Sequence, residues 1–380
     1  MIARSGLSKW TQPVEQPELD LWHMRRALDL AAAGQGHVEP NPMVGCVIAL
    51  GAEVIGEGWH RSFGGPHAEI EALKLAGQHA SGATLYVTLE PCCHYGKTPP
   101  CTKAILEAGI RRVVVAGSDP FPKVAGGGLA ELQAAGIDVE VGLLEGESRR
   151  LNAPYLKLVR TGRPWIIGKW AMTLDGKTAS RAGTSQWISN PESRRIVHGI
   201  RGRVDAILIG RETAQLDNPL LTARPPGPRT ALRVVVDTHA SLSPASQLVS
   251  TSKDVPVLIA VGPHASVADR NRLIQGGCEI FVCSATRHAA RLDQLLEELG
   301  RRRLTNVLAE GGSRLLGSLL DARQIDEAHV FIAPKLLGGA SARSAMAGDG
   351  FEEIAKAPSL EQPIIEAIDG DVYVHGCVVW

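Results

Sequence analysis

Residues 84–101 read TLYVTLEPCCHYGKTPPC, and residues 67–69 upstream of them read His-Ala-Glu. The apolar run Thr84–Leu89 predicts a strand, and Thr102–Ala108 beyond the quoted stretch predicts a helix. Cys92 then falls just past a strand, and His67 and Glu69 open a helix over Ala68–Ala76. Groups that carry chemistry collect at strand ends in α/β domains, so this spacing sets the fold class of the first half.

Working outward, helical spacing runs from Leu19 to Ala33 and breaks at Gly34 and Gly36. Val44–Leu50 and Glu53–Gly58 form a hairpin, Arg112–Ala116 and Ile137–Val141 are strands, and Gly126–Ala135 is a helix between them. This alternation predicts an α/β layer structure with a largely parallel sheet after the opening hairpin. The stretch Glu145–Pro164 is rich in charge and ends in a Gly-Arg-Pro turn, which places a domain boundary near Thr161. Beyond it, strands are expected at Trp165–Trp170, Ala206–Ile209, Arg233–Val236, Val257–Val261, Glu279–Cys283, Asn306–Ala309, His329–Ile332 and Val372–Val379, with helices between several of them. The expected organisation is a flexible tail over residues 1–18, a first α/β domain over 19–160 and a second over 161–380.

Composition bounds the function. The chain has 380 residues. Domains usually take roughly 150 residues each, so two or three are expected. Hydrophobic residues at 44% and charged residues at 21% exclude disorder throughout. Forty basic against forty acidic residues give zero net charge, which counts against a phosphate-backbone binder. No apolar run reaches the ~18–20 residues needed to span a bilayer, and Met1–Pro17 has no signal-peptide core. Seven cysteines are too few for a disulfide scaffold. A cytoplasmic protein is expected, with neither a membrane nor nucleic acid as partner.

Imidazole and thiolate are preferred zinc ligands, and three protein ligands leave a fourth tetrahedral position for water, as catalytic sites do. Adjacent cysteines rarely ligate one ion, so His67, Cys92 and Cys101 are taken as the ligands, with Cys93 a packed thiol. Bound zinc lowers the pKa of its water towards ~7, and Glu69 is placed as a proton shuttle beside that water. His-x-Glu followed by Pro-Cys is the pattern of zinc deaminases. Each half of the pattern is common alone; in order, with strand and helix signals in place, the two together are specific. Cys46, Cys278, Cys283 and Cys377 read as buried small hydrophobes.

The segment Pro91–Cys101 resembles the deaminase half of the bifunctional riboflavin-biosynthesis deaminase–reductase family, in which the long gap between the cysteines is normal. Asn41-Pro42-Met43-Val44-Gly45 and Gly58-Trp59-His60 resemble its substrate-pocket segments. The resemblance implies that Asn41, His60, His94 and Lys97 contact the pyrimidine or the ribose phosphate; otherwise they are a turn asparagine, surface histidines and a solvated lysine. The family usually carries a polar residue at Cys93 and a His at Tyr95.

No Gly-x-Gly-x-x-Gly follows the first strand of the second domain, so an ordinary dinucleotide turn is not indicated. Glu310-Gly311-Gly312-Ser313, between a strand and a helix over Arg314–Leu320, suits a phosphate or a plain tight turn equally. Lys169–Trp187, Gly210–Ala214, Leu216–Pro219 and Ala333–Gly339 resemble the reductase half of the same family, so the likeness spans roughly residues 20–375. It implies a cytidine-deaminase-like three-layer domain followed by a dihydrofolate-reductase-like domain, with one Zn2+ and NADPH as cofactors. By the same resemblance, Ala171, Trp187, Thr213, Asp217, Thr238, Gly312, Ser313, Arg314, Leu315, Leu316, Gly317 and Ser318 line the NADPH site. Lys169, Ser185, Arg201, Leu221, Arg224 and Glu310 would hold the substrate, and two arginines suit a ribose 5-phosphate. Lys169, Asp217 and Glu310 stay open as proton donors, while Asp237 and Arg233 read as strand-end residues of structural use.

The implied activity is deamination of 2,5-diamino-6-ribosylamino-4(3H)-pyrimidinone 5′-phosphate, then reduction of the ribosyl chain of 5-amino-6-(5-phosphoribosylamino)uracil. Phosphorylated pyrimidines are the expected small-molecule partners, and a homodimer or homotetramer is the family expectation. The alternatives are a nucleic-acid base deaminase, disfavoured by zero net charge, and a zinc-stabilised nucleotide sensor, disfavoured by Glu69.

Overall fold

The computed structural model describes residues 15–95 and 99–380. The chain divides between Arg160 and Thr161 into two compact units.

The first unit contains α1 (Gln16–Ala32), β1 (Gly45–Leu50), β2 (Glu53–Trp59), α2 (Ala68–Ala76), β3 (Thr84–Val87), α3 (Cys101–Glu107), β4 (Arg112–Val115), α4 (Gly127–Ala134), β5 (Asp138–Val141), α5 (Glu145–Leu151) and α6 (Ala153–Thr161). Its five-stranded sheet has the order β2-β1-β3-β4-β5. The β1–β2 and β1–β3 pairs are antiparallel and β3–β4 and β4–β5 parallel. Alternate strand residues face opposite ways. Cys46, Ile48, Leu85, Val87, Val113 and Val115 pack with Ala68, Ala72, Ile105 and Leu132 of α2, α3 and α4. Val47, Ala49, Tyr86 and Val114 pack with Met24, Ala27 and Leu30 of α1. The result is the three-layer arrangement expected for this half.

Two details differ from the sequence reading. The tail expected over residues 1–18 gives way to helix at Gln16, and residues 1–14 lie outside the described residues. Pro17 sits in the first turn, where its missing N–H costs nothing and its fixed φ suits a helix, and the nearby Glu18 complements the helix dipole. The charged stretch after Glu145 is helical as α5 and α6, because its charges lie on exposed faces while Ser148 and Leu156 are buried.

The second unit contains β6 (Trp165–Thr173), α7 (Pro191–Arg201), β7 (Ala206–Gly210), α8 (Arg211–Leu216), β8 (Leu232–Val236), α9 (Gln247–Ser250), β9 (Val257–Val261), α10 (Val267–Gln275), β10 (Glu279–Val282), α11 (His288–Arg301), β11 (Asn306–Glu310), α12 (Ser313–Asp321), β12 (Glu327–Ala333), β13 (Ser359–Ile368) and β14 (Asp371–Val379). Its nine-stranded sheet has the order β10-β9-β8-β7-β11-β6-β12-β14-β13. The sheet is parallel from β10 to β12 and ends in the antiparallel pairs β12–β14 and β14–β13. Ile167, Ile207, Val235 and Ile259 pack towards α7, α9 and α10. Ile166, Leu208, Val234, Leu258 and Val307 pack towards α11 and α12. Burial on both faces explains the nearly continuous apolar strands.

Strand β13 escaped the sequence reading. It is exposed along almost its whole length, contains Pro363, and slips register between Glu361 and Ile364. Proline within a run signals an edge strand, which β13 is.

Candidate functional site

In the first unit, His67 caps α2 in an extended conformation, so its ring leaves the helix axis. Its Nδ1 lies 3.5 Å from Cys92 Sγ and 3.3 Å from Cys101 Sγ, and the three donor atoms fall within 4.8 Å of one another. Cys101 opens α3, and its N–H donates to Cys92 Sγ at 3.3 Å, while the Thr102 N–H donates to the Cys92 carbonyl at 3.2 Å. Helix and loop are thereby joined at the cluster. Hydrogen bonds from Cys101 and His67 lower the Cys92 thiol, and the same contacts raise His67 and Cys101. One nitrogen and two sulfurs, with no fourth donor in the group among the described residues, fit a catalytic zinc ion.

Glu69, in the first turn of α2, is 3% exposed. Burial raises its carboxyl above the ordinary glutamate range, against the pull of His67. Beside the cluster, the His60 ring meets the His67 ring edge-on at 5.5 Å. His60 Nδ1 lies 2.9 Å from the Pro66 carbonyl, which requires a proton on Nδ1, and Nε2 therefore accepts from Asn41 Nδ2 at 3.1 Å. Burial lowers the His60 pKa and keeps the ring neutral. His94 Nδ1 is buried without a hydrogen-bond partner among the described residues, and the ring lies 6.0 Å from that of Phe121. An orphaned buried nitrogen suits a ligand atom. Lys97 lies outside the described residues. Tyr95 is exposed, and Cys93 is half-buried with its thiol towards the Lys123 carbonyl at 3.8 Å.

Sequence reasoning missed Glu90 and Asp119. The buried Glu90 carboxylate accepts the backbone N–H groups of Asp119, Gly126, Gly128 and Leu129 at 3.0–3.3 Å, tying the start of α4 to the Pro91-Cys92 loop. Asp119 accepts the Phe121 N–H and the Tyr155 hydroxyl, and burial raises its carboxyl. The one sequence signal was a carboxylate directly before Pro91-Cys92.

In the second unit, Lys169 on β6 and Glu310 at the end of β11 are register partners. Arg201, the last residue of α7, donates from Nε to Glu310 Oε1 at 2.6 Å and from Nη2 to Oε2 at 2.7 Å. Burial alone would raise the Glu310 carboxyl, but Arg201, Lys169 and His198 hold it below the ordinary range. Burial pushes the Lys169 ammonium down, with Glu310 opposing. Arg201, expected on the substrate phosphate, thus has its fork on Glu310, and Nη1 is the nitrogen left for a ligand.

Among the other expected residues, the Ser185 hydroxyl donates to Asp217 Oδ1 at 3.0 Å. Thr213 faces Gly312, where a Cβ would fall 2.9 Å from Thr213 Oγ1. Gly312 precedes α12, so Ser313–Ser318 form its first two turns, with Leu315, Leu316 and Gly317 buried and Arg314 exposed. Trp187 is 64% exposed beneath the Arg194 guanidinium at 4.5 Å, and Lys335 Nζ donates to the Trp187 and Ile188 carbonyls at 2.8 Å. Lys335 stands in a family-like segment with no role expected of it. Ala171 and Phe331 are register partners. Leu221 is buried at φ 54°, and Arg224 bonds locally, from Nη1 to Thr222 Oγ1 and from its N–H to His198 Nδ1. Arg233 is fully buried on carbonyls of Leu220, Leu248, Thr251 and Val255, and Asp237 is buried against its own turn, both structural as expected. Cys377, expected to be buried, is half-buried on β14, whose residues around it are also only half-buried.

Residues 17–117 match the model of the cytidine and deoxycytidylate deaminase zinc-binding region, and residues 164–374 match the RibD C-terminal domain. The riboflavin biosynthesis protein RibD of Actinobacillus pleuropneumoniae is 40% identical over 95% of this chain and 96% of its own length. That of Escherichia coli is 40% identical over 94% and 98%. The solved structure of Acinetobacter baumannii RibD superposes with a TM-score of 0.83 at 35% identity, covering 96% of this chain and 99% of that one. The Thermotoga maritima diaminohydroxyphosphoribosylaminopyrimidine deaminase/5-amino-6-(5-phosphoribosylamino)uracil reductase gives 0.82 at 33% identity, covering 95% and 99%. With both halves matched in order and over nearly their whole length, the chain belongs to the RibD family of bifunctional riboflavin-biosynthesis deaminase–reductases.

Proposed function

We propose that the two units perform the family's reactions in order, with the residues just described in definite roles. The first deaminates 2,5-diamino-6-ribosylamino-4(3H)-pyrimidinone 5′-phosphate, and the second reduces the ribosyl chain of 5-amino-6-(5-phosphoribosylamino)uracil to ribityl. The observation that carries the first role is the convergence of His67, Cys92 and Cys101 with the buried Glu69.

His67, Cys92 and Cys101 would hold zinc, which supplies a water of lowered pKa. Glu69 takes a proton from the attacking water and returns it to the departing amine. Burial, by raising its carboxyl, suits it to both halves of that transfer. Asn41 and neutral His60 orient the pyrimidine, and the orphaned His94 Nδ1 offers it a further polar contact. Lys97 is assigned to the ribose phosphate from sequence alone.

In the second unit NADPH would supply hydride to C1′ of the opened sugar. Among the three candidate donors, Glu310 is held ionised by Arg201, and Asp217 accepts from Ser185. Lys169, with a lowered pKa, is the group with a proton to give, and we assign it delivery to the side-chain nitrogen as C1′ is reduced. Arg201 Nη1 and Arg224 are placed on the phosphate, with Ser185 and Leu221 along the substrate. Ala171, Trp187, Thr213, Asp217, Thr238 and Gly312–Ser318 are placed on the dinucleotide.

We also assign a homodimer or homotetramer. Ile364 and Ile365 on edge strand β13 are 52% and 66% exposed. An apolar, unpaired strand edge invites another chain. None of the seven cysteines is in a disulfide, which suits the reducing cytoplasm. No helix among the described residues is long and apolar enough to cross a membrane.

The direct test of the first role is ammonia release from the diaminopyrimidinone ribotide, measured with bound metal. Release that disappears on chelation and returns with Zn2+ supports the reading; release that survives complete metal removal overturns it.

A further inference from the structure

The first turn of α11 touches two segments that lie far apart in sequence. Arg291 Nη2 donates to Thr238 Oγ1 at 3.2 Å. At the start of the same turn, His288 Nε2 lies 3.1 Å from Ser318 Oγ. Thr238 and Gly312–Ser318 are the segments assigned above to the dinucleotide, so the start of α11 borders that site.

The second arm of Arg291 donates to the Thr286 carbonyl. Both hydrogen-bond acceptors of the guanidinium are therefore neutral oxygens, and no carboxylate pairs with it among the described residues. The residue is half-buried, which strengthens its attraction for an anion relative to a fully solvated charge. Its stem crosses Gly262, directly after β9, where a Cβ would lie 3.1 Å from Thr238 Cγ2 and 3.6 Å from Arg291 Cδ. A side chain there would press on Thr238, whose Cγ2 and carbonyl would lie 3.1 and 3.2 Å away, while only touching the arginine stem.

In doubly wound dinucleotide-binding folds a carboxylate commonly meets the free 2′-hydroxyl of the adenosine ribose and an arginine accommodates a 2′-phosphate, and the same charge complementarity applies to a dinucleotide in this sheet. Asp237 stands directly after β8 and could have served as that carboxylate. It is turned away: Oδ2 accepts the Leu242 N–H at 2.8 Å, Oδ1 accepts the Ser241 hydroxyl at 3.0 Å, and the residue is fully buried. The Thr238 hydroxyl and an arginine with no acidic partner among the described residues remain at this corner.

We propose that Arg291 selects the phosphorylated dinucleotide, its guanidinium taking the adenosine 2′-phosphate beside Thr238. The assignment rests on the reading of Thr238 and Gly312–Ser318 as the dinucleotide site, and it adds the residue that decides between NADPH and NADH. A planar guanidinium can bind a phosphate through two parallel hydrogen bonds, which a lysine cannot reproduce.

The test is kcat/KM for NADPH and for NADH with the pre-deaminated ribotide, in wild type, Arg291→Ala and Arg291→Lys. Loss of a charge-assisted contact lowers the NADPH-to-NADH preference by about ten- to a hundredfold in the alanine variant, and Arg291→Lys recovers part of it. An equal loss with both dinucleotides would mean a structural role and overturn the proposal, as would wild-type protein that uses both equally well. Wild-type protein that oxidises neither would overturn the reductase reading itself. A second arm needs no variant: 2′,5′-ADP should inhibit wild-type reduction at least about tenfold more tightly than 5′-ADP. Equal inhibition by the two contradicts a 2′-phosphate site.

Discussion

Arg201 and Glu310, 109 positions apart, meet fork to fork at 2.6 and 2.7 Å in the interior of the reductase domain. The pair joins the end of α7 to the end of β11 and leaves Lys169, the register partner of Glu310, as the cation beside it. Removing one member of such a pair strands the other's charge, at a cost of about 3–5 kcal/mol. Arg201→Ala should therefore destabilise the reductase domain by that order and raise KM for the phosphorylated substrate. Adding Glu310→Gln should recover part of the stability. Denaturant midpoints of the two single variants and the double variant check this, and strictly additive losses would show that the two groups are uncoupled.

Lys169→Met should lower reductase kcat by about a hundredfold or more, the usual contribution of a general acid, while leaving ammonia release intact. Because burial depresses the Lys169 pKa, the donor is protonated at low pH. The wild-type rate should fall as pH rises through that depressed value, below the ordinary lysine value of about 10.4. A variant that keeps the wild-type alkaline limb removes Lys169 from the proton transfer.

Glu69→Gln should keep the metal and lose deamination by about a hundredfold or more, with reduction of pre-deaminated substrate unaffected. Metal analysis separates the roles: loss of zinc together with activity would make Glu69 a ligand.

Asp20 ties α1 to the deaminase sheet, accepting both arms of Arg112 at 2.8–2.9 Å and the Tyr86 hydroxyl at 2.6 Å. Burial opposes ionisation, but Arg112, Tyr86 and Gln16 outweigh it and lower the folded pKa. The unfolded chain, with an aspartate pKa of about 3.9, takes up the proton first as pH falls. The stabilisation is fully present above that value and disappears as pH drops through the lower folded one. Wild type should be more stable than Asp20→Asn at pH 7, and the two melting curves should converge below about pH 4. A pH-independent gap would contradict the assignment.

Much of this was legible in the sequence where chemistry is written in short range. His67, Glu69, Cys92 and Cys101 lie close together along the chain, and strand and helix signals placed His67, Glu69 and Cys92 at element ends, with Cys101 one residue before a helix that in fact begins on it. The parallel strands were legible from apolar runs, because burial on both faces leaves that signature. Edge strand β13 was not, since exposure and Pro363 erase it. Glu90 was hidden because its partners, Asp119 to Leu129, are backbone groups and leave no side-chain pattern. The Arg201–Glu310 and Arg291–Thr238 contacts join positions 109 and 53 residues apart, and only the fold brings them together.

The most direct test of two sites acting in sequence is NADPH oxidation after adding the diaminopyrimidinone ribotide to purified protein, with and without zinc. Oxidation should require zinc with that substrate and proceed without zinc when the pre-deaminated ribotide is supplied. Absence of oxidation with both substrates in zinc-loaded protein would contradict the account.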